Sequence, residues 1–475
     1  MRQDLNEIKE IFHSHNYDVN TILQKNIKKF KLKFAFLKYG IQKNQGFDVL
    51  EIVTLLLILP LLALRSIHHL YCSHYNKIAN MHKDTLYRLK NNCDIDWRRI
   101  LYHTAKTFDT LSLTRNNTQE NSALILDDTT LLKTGTSIEK VSYVFDHVLR
   151  KSVLGFKNLT CAHFDGVSYK VVDFSLHSEK ELSKAKLKKQ YRTKCDKRSQ
   201  LSKRLHECST DKIQNGINML KRAAKNGIQC QYVITDAWFA CEDTLKAVRA
   251  LKNGTVHFLS ACRKDNRKYN YDGKLLNANE LLQILKDKDS VKRNRSHRLM
   301  YCEALVEYKG VKLRVYFSKG THQRHWKLFW SSNTTLTFNK FCESYAIRWG
   351  IEIVFKECKT YLKLGKCQSQ SFAAQIAEIS LCYMLYNMLI YEKRSGEYKT
   401  TGTLFEYFSE QLREQTLAEK IWNMLLELLE FIVDKITFEQ CCIDSYSQLE
   451  KHPLFENVKK LMEGSFLSTF FQSAQ

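Results

Sequence analysis

Proline is almost missing from this chain, with 2 in 475 residues, and glycine is sparse at 16. That scarcity excludes Pro-rich spacers and Gly-rich low-complexity tracts, and no internal repeat is present, so the chain reads as compact. The 15 cysteines contain no CxxC pair, which removes the usual zinc and redox motifs; the adjacent Cys441 and Cys442 do not make a metal knuckle. Scattered and odd in number, they read as reduced, mostly buried thiols of a cytosolic protein. The opening "MRQDLNEIKEIF" lacks the basic segment and apolar core of a secretion signal. A run long enough to span a bilayer, about 20 apolar residues, is also wanting. The nearest, "IVTLLLILPLLAL" from Ile52 to Leu64, is short and carries Pro60, so it reads as a buried helix or helical hairpin and no membrane is expected.

Acid is the other deficit. Asp and Glu total 50 against 74 Lys and Arg, a formal net charge of +24 with a pI near 9.3. Such an excess calls for a polyanionic partner, and nucleic acid is the default because neutralising phosphates releases counterions.

What the chain does have is apolar content of 44% and aromatic content of 12%, enough for a globular core and, at this length, more than one domain. Residues 1–115 carry helical periodicity with many Lys, Arg and His, which suits a helical cap or a DNA-end-binding region. From about Asn121 short apolar runs follow: "SALILDD", "SYKVVDFSLH" and "CQYVITDAWFA" read as strands, the first and third ending on acid. Between them lies the strongly basic stretch Lys180–Glu207, expected to be helical or to become so on phosphate. Strand-like runs such as "TVHFLSACRKD", "LMYCEALVEY", "VKLRVYFSKG" and "WKLFWSSNTTL" crowd the region before Glu352, and the pattern then turns helical to the end. The expected division is 116–245 and 339–395 for an α/β core, 246–338 for a β-rich insertion, and 396–475 for a helical C-terminal region.

Three acidic positions stand out: Asp127 or Asp128 at the first strand's tip, Asp236 at another, and Glu352 on a helix. Carboxylates converging on one sheet edge would hold divalent cations through oxygen, and two such ions would activate a nucleophile and stabilise the leaving oxygen of a phosphodiester. Neighbouring residues on a strand point to opposite faces, so Asp127 and Asp128 would not both serve the same metal pair. Around Glu352, "YAIRWGIEIVFKECK" reads as one amphipathic helix. Its Tyr345, Arg348, Glu352 and Lys359 fall in one arc of about 60°, beside an apolar stripe of Ile347, Ile351, Val354, Phe355 and Leu362.

The blocks "ALILDDTTLLKTG", "YVITDAWFA" and "YAIRWGIEIVFKECK" resemble those of the DDE transposases of bacterial insertion sequences, the group with a Y-R-E-K signature. About 110 residues separate the two Asp, and slightly more separate Asp236 from Glu352, as in that group. The resemblance runs from about Asn121 to Tyr391. It implies an RNase H-like core interrupted by a β-rich insertion, acting on double-stranded DNA at transposon terminal inverted repeats and on target DNA. It makes Asp127, Asp236 and Glu352 the catalytic ligands of a two-metal Mg²⁺ or Mn²⁺ site, with Asp128 the alternative first acid. Asp127 is favoured because it follows directly on the apolar run and sits six residues before Lys133. Tyr345, Arg348, Lys359, Trp326 and Lys133 become DNA contacts, Trp326 by stacking a flipped base, while Trp238 reads as site wall. A homodimer on paired ends and a bacterial cytoplasm, at the nucleoid, are further implications. A related metal-dependent nuclease, or an inactive or domesticated transposase that only binds DNA, remains the alternative.

Overall fold

A computed structural model of the chain describes residues 22–40, 45–73, 75, 81–113, 121–179, 190–396, 398–410 and 412–413. By its internal contacts the chain forms two compact units, one of residues 30–69 and 81–404, the other of residues 1–29, 70–80 and 405–475. The expectations for the C-terminal region fall largely outside the described residues, as do those for residues 180–189.

The described helices are α1 Ile22–Lys29, α2 Leu32–Tyr39, α3 Val49–Leu61, α4 Ile67–Cys72, α5 Lys83–Lys90, α6 Trp97–Leu113, α7 Gln200–Ser209, α8 Lys212–Lys225, α9 Glu242–Arg249, α10 Ala278–Asp287, α11 Phe338–Ala346, α12 Trp349–Thr360 and α13 Phe372–Ser395. The strands of the core are β1 Ala123–Leu132, β2 Ser142–Asp146, β3 Lys151–Phe164, β4 Tyr169–His177, β5 Tyr232–Thr235 and β6 His257–Cys262. Those of the later β-rich stretch are β7 Lys268–Tyr271, β8 Lys274–Asn277, β9 Lys292–Asn294, β10 Leu299–Tyr308, β11 Val311–Gly320 and β12 Lys327–Ser331. The fold is mixed α/β.

All twelve strands of the described residues join one sheet in the order β2-β3-β1-β5-β6-β12-β11-β10-β7-β8, with β4 also on β3 and β9 also on β10. β3 pairs antiparallel with both β1 and β4, whereas β5 runs parallel to both β1 and β6. The later strands enter through β12, which lies antiparallel to β6.

Alternation along β1 sorts its side chains to two cores. Leu124 and Leu126 pack with Met219, Leu220 and Val233 on the side of α8. Ala123 and Ile125 pack with Ile351 and Phe355 of α12 on the other. The long helix α13 is apolar and long enough to cross a membrane by length and composition, but 94% of its most apolar window is buried inside the fold. It is a core helix, against which α6 and β4 pack.

A buried ion network ties α6, α7 and α8 to β4. Asp173 is fully buried and takes Arg98 Nε and Arg222 Nε, each at 2.8 Å. Arg98 also reaches Glu207 at 2.7 Å, and Arg204 approaches the same carboxylate at 3.4 Å. Burial alone would raise the Asp173 pKa; Arg98, Arg222 and Arg204 hold it instead at about 2.

Candidate active site

The parallel register of β1 and β5 ends with Leu126 beside Thr235. The next residue after each is an aspartate, so Asp127 and Asp236 emerge together where the β1–β5 pairing ends, at the carboxyl end of β5. β1 itself runs on to Leu132 beside β3, so Asp127 and Asp128 lie within the strand and not, as expected, at its tip. Continuing the alternation of β1, Asp127 faces α12 and Asp128 faces α8. Arg348 Nη1 donates to Asp127 Oδ2 at 3.0 Å and Arg348 Nη2 to Glu352 Oε1 at 2.7 Å. Lys359 Nζ donates to Thr129 Oγ1 at 2.6 Å, two residues on from Asp127 and on the same face. Asp128 instead meets Lys212 at 3.2 Å and Lys157 at 3.8 Å. Asp127, Asp128, Asp236, Arg348, Glu352 and Lys359 all line one open cavity of about 820 Å³.

Acid is in electrostatic excess here. Burial and then repulsion from Asp236 push the Asp127 carboxyl up to about 7, against the pull of the Asp128 N–H and Arg348. Asp236 is raised by burial and by Asp128, although its Oδ1 accepts the Trp238 N–H at 3.0 Å. Oxygen-only donors of this kind suit a hard divalent ion. Yet among the described residues no three acidic, His or Cys side chains stand close enough to hold one, because the Arg348 guanidinium lies between Asp127 and Glu352. Filling the site with metal would require Arg348 to let go of both carboxylates.

The stretch expected as a single helix is two, α11 and α12, joined by a tighter turn. Gly350 N donates to Ile347 O and Ile351 N to Arg348 O, both i→i−3 bonds. Tyr169 causes the break: its hydroxyl donates to Ile347 O at 2.9 Å, competing for the carbonyl that an α-helix would give to Ile351. Its ring lies under Gly350 so closely that a Cβ there would fall 2.0 Å from Cζ. The apolar stripe nevertheless faces inward, with Ile351, Val354, Phe355 and Leu362 buried.

Tyr345 sits before the break and does not line the cavity; its hydroxyl donates to Thr235 O and accepts from Ala261 N, both at 3.3 Å. It braces the tips of β5 and β6. Two further expected DNA contacts are likewise not brought to the cleft. Lys133 is buried, with Nζ bonded to Gly365 O at 2.9 Å and Cys367 O at 2.6 Å, and burial lowers its pKa to about 8. Trp326 is 8% exposed in the core of the later strands, with Lys286 and Lys319 over its ring. Trp326 comes just before β12, and packing in the core of those strands takes its ring.

Trp238 does form part of the wall, as expected. It is 47% exposed, with Lys212 4.9 Å and Arg263 5.3 Å from its ring centre. Lys157, Lys212 and Arg263, which no sequence motif singled out, also line the cavity. The one local signal for Lys212 is its place after Asp211, whose carboxylate caps α8 by accepting from the Ile213 and Gln214 N–H groups.

Residues 73–278 match the family model described as "DDE superfamily endonuclease", a stretch that includes Asp127, Asp128 and Asp236 and stops before Glu352. No curated protein matches the chain. Among solved structures, the chain is similar to the "Drosophila P element transposase strand transfer complex" at 12% identity and a TM-score of 0.24, over 56% of this chain and 55% of that one. The chain thus spans about half of that transposase, and so loose a superposition carries neither fold nor function. The family match supports nuclease chemistry of the DDE kind in this chain.

Proposed function

We propose that the chain is a DDE transposase of the Y-R-E-K group, from a bacterial insertion sequence, that cuts double-stranded DNA at transposon ends and joins them to target DNA by a cut-and-paste route. The observation that carries this reading is the β1–β5 register, which brings Asp127 and Asp236 side by side facing Arg348 and Glu352. The strand order β4-β3-β1-β5-β6, antiparallel and then parallel, supports an RNase H-like core, with β7 to β12 as its insertion. Enzymes of this superfamily generally use divalent metals. Asp127, Asp236 and Glu352 would hold Mg²⁺ or Mn²⁺, which when bound supplies nucleophile activation and leaving-oxygen stabilisation.

The chain's own groups do the rest. Arg348 offers a planar fork to a phosphate once it leaves the two carboxylates. Lys359, aimed at the same face through Thr129, adds a second positive charge near the strand being cut. Lys212 and Lys157 neutralise Asp128, which leaves Asp127 the acid that belongs with Glu352. Work on paired ends by a homodimer, at the bacterial nucleoid, belongs to the same proposal.

The test is cleavage of a labelled duplex bearing the element's own terminal repeat, in Mg²⁺ or Mn²⁺, by the intact chain and by Glu352→Gln. Cutting at the repeat boundary should fall by on the order of a thousandfold in the variant, with DNA binding retained. Binding without cutting by both proteins would overturn the enzymatic reading and leave a DNA-binding protein. Cutting without joined product would leave a nuclease.

A further inference from the structure

A second concavity, of about 610 Å³, opens among α2, α6, α7 and α8. Its wall carries Lys38, Arg99, His103, Lys106, Arg222 and Lys225, with Asp96 the one acid. Arg99, His103 and Lys106 are spaced by four and three, so they form a single stripe about 10 Å long on α6. Lys38 and Lys225 face the same space from other elements. Lys38, Arg99, Lys106 and Lys225 are exposed. Arg99 reaches Asp96 at 3.4 Å, while Lys38, Lys106 and Lys225 have no carboxylate partner among the described residues. Beneath them the Asp173 network sets Arg98, Arg204 and Arg222 against Asp173 and Glu207, so the floor is positive too. Helix-terminal placement accounts for Arg222 and Lys225 at the end of α8, but not for cations converging from α2 and α6.

Two helices run from this groove to the acid cleft. Lys212 at the start of α8 lines the cleft and Lys225 at its end lines the groove, a separation of about 20 Å at 1.5 Å per residue. α7 runs between the same two places, from Gln200 in the groove to Ser209 in the cleft. Along the pair lies a further concavity with Lys197, Lys203 and His206, which shares Thr210 with the cleft.

We propose that this groove grips the phosphate backbone of duplex DNA about 20 Å from the carboxylates, or roughly six base pairs at 3.4 Å each. The α7–α8 pair then acts as a ruler between the held duplex and the cut. The assignment of duplex DNA rests on the proposed function; the anion-binding character of the groove does not.

The experiment uses the full chain and a triple variant, Lys38→Gln, Lys106→Gln and Lys225→Gln, all surface positions, with thermal melting to verify an unchanged fold. Binding of a fluorescent 30-base-pair duplex in EDTA is followed against salt. Three lost phosphate contacts should lower the slope of log K against log salt by about 2.7, at about 0.9 per contact, and weaken binding at least tenfold at physiological salt. In Mn²⁺, the KM for a terminal-repeat duplex should rise as much while kcat stays within about twofold. Identical salt slopes for the two proteins would overturn the groove, and would do so even if Glu352-dependent cutting stands. A reduced slope in the variant, with a wild-type chain that never cuts DNA, would keep the groove and sink the transposase reading. An equal loss on a single strand of the same length would overturn the assignment to duplex.

Discussion

Two aspartates in this molecule each hold an arginine at about 3 Å, Asp127 with Arg348 at 3.0 Å and Asp173 with Arg98 and Arg222 at 2.8 Å. They come out opposite. Asp173 is held down at about 2 and Asp127 is raised to about 7, although burial pushes both upward. The difference lies in the neighbours: three guanidiniums surround Asp173, whereas Asp127 faces Asp236 and shares its one guanidinium with Glu352. A buried network of the first kind, with each acid met by guanidiniums, is structural. In the open second cluster Asp127 and Asp236 repel each other and Arg348 is shared with Glu352, so it is fitted to receive further positive charge from outside.

The largest break in this comparison is Asp173→Asn. Removing one member of a buried network leaves arginines uncompensated, so a loss of about 3–5 kcal/mol in denaturant unfolding is expected. The same network fixes an acid limit. A carboxyl depressed from its ordinary value stabilises the fold fully above about pH 4, and the contribution, roughly 2–3 kcal/mol, is lost as pH falls through about 2. A variant as stable as the parent in denaturant, with an unchanged acid transition, would refute the structural role of Asp173.

Gly350→Ala probes the other cluster from beneath. Its new methyl meets the Tyr169 ring, so α12 must shift, at about 1–3 kcal/mol, and Arg348 and Glu352 move with it. Cleavage should therefore fall more than stability does; a variant with full activity would mean that the tight turn does not aim these side chains.

The smallest effect concerns metal. A raised carboxyl holds its proton in the folded chain after the unfolded chain has released it, so in EDTA Asp127 costs stability as pH climbs from about 4 to about 7. A divalent ion relieves that repulsion and competes with the proton. Mn²⁺ should accordingly raise the Tm by about 2–5 °C at pH 8 and by less at pH 6. Equal shifts at both pH values, measured by scanning fluorimetry, would count against Asp127 as a ligand.

Much of the core was readable in the sequence because each signal was local. The runs that became β1, β4, β5, β6, β10, β11 and β12 are continuous or alternating apolar segments, and alternation alone put Asp127 and Asp128 on opposite faces. The apolar stripe of α12 is a three-and-four pattern that any packed helix must show. β3 was not readable, since its fourteen residues include Lys157, Asn158, Thr160 and His163, all buried. Their burial depends on partners far along the chain, such as Tyr383 for Asn158 at 2.6 Å.

The sequence by itself determined which groups can do chemistry and the basic character that draws them to a polyanion, because side-chain type and local period are properties of short segments. Only the tertiary structure decided their company. It broke the helix over Tyr169, sank Lys133 and Trp326 into the core, set Arg348 between Asp127 and Glu352, and gathered the lysines of α2, α6 and α8 around one groove. Those outcomes are set by contacts between segments dozens to hundreds of residues apart, which no local pattern encodes.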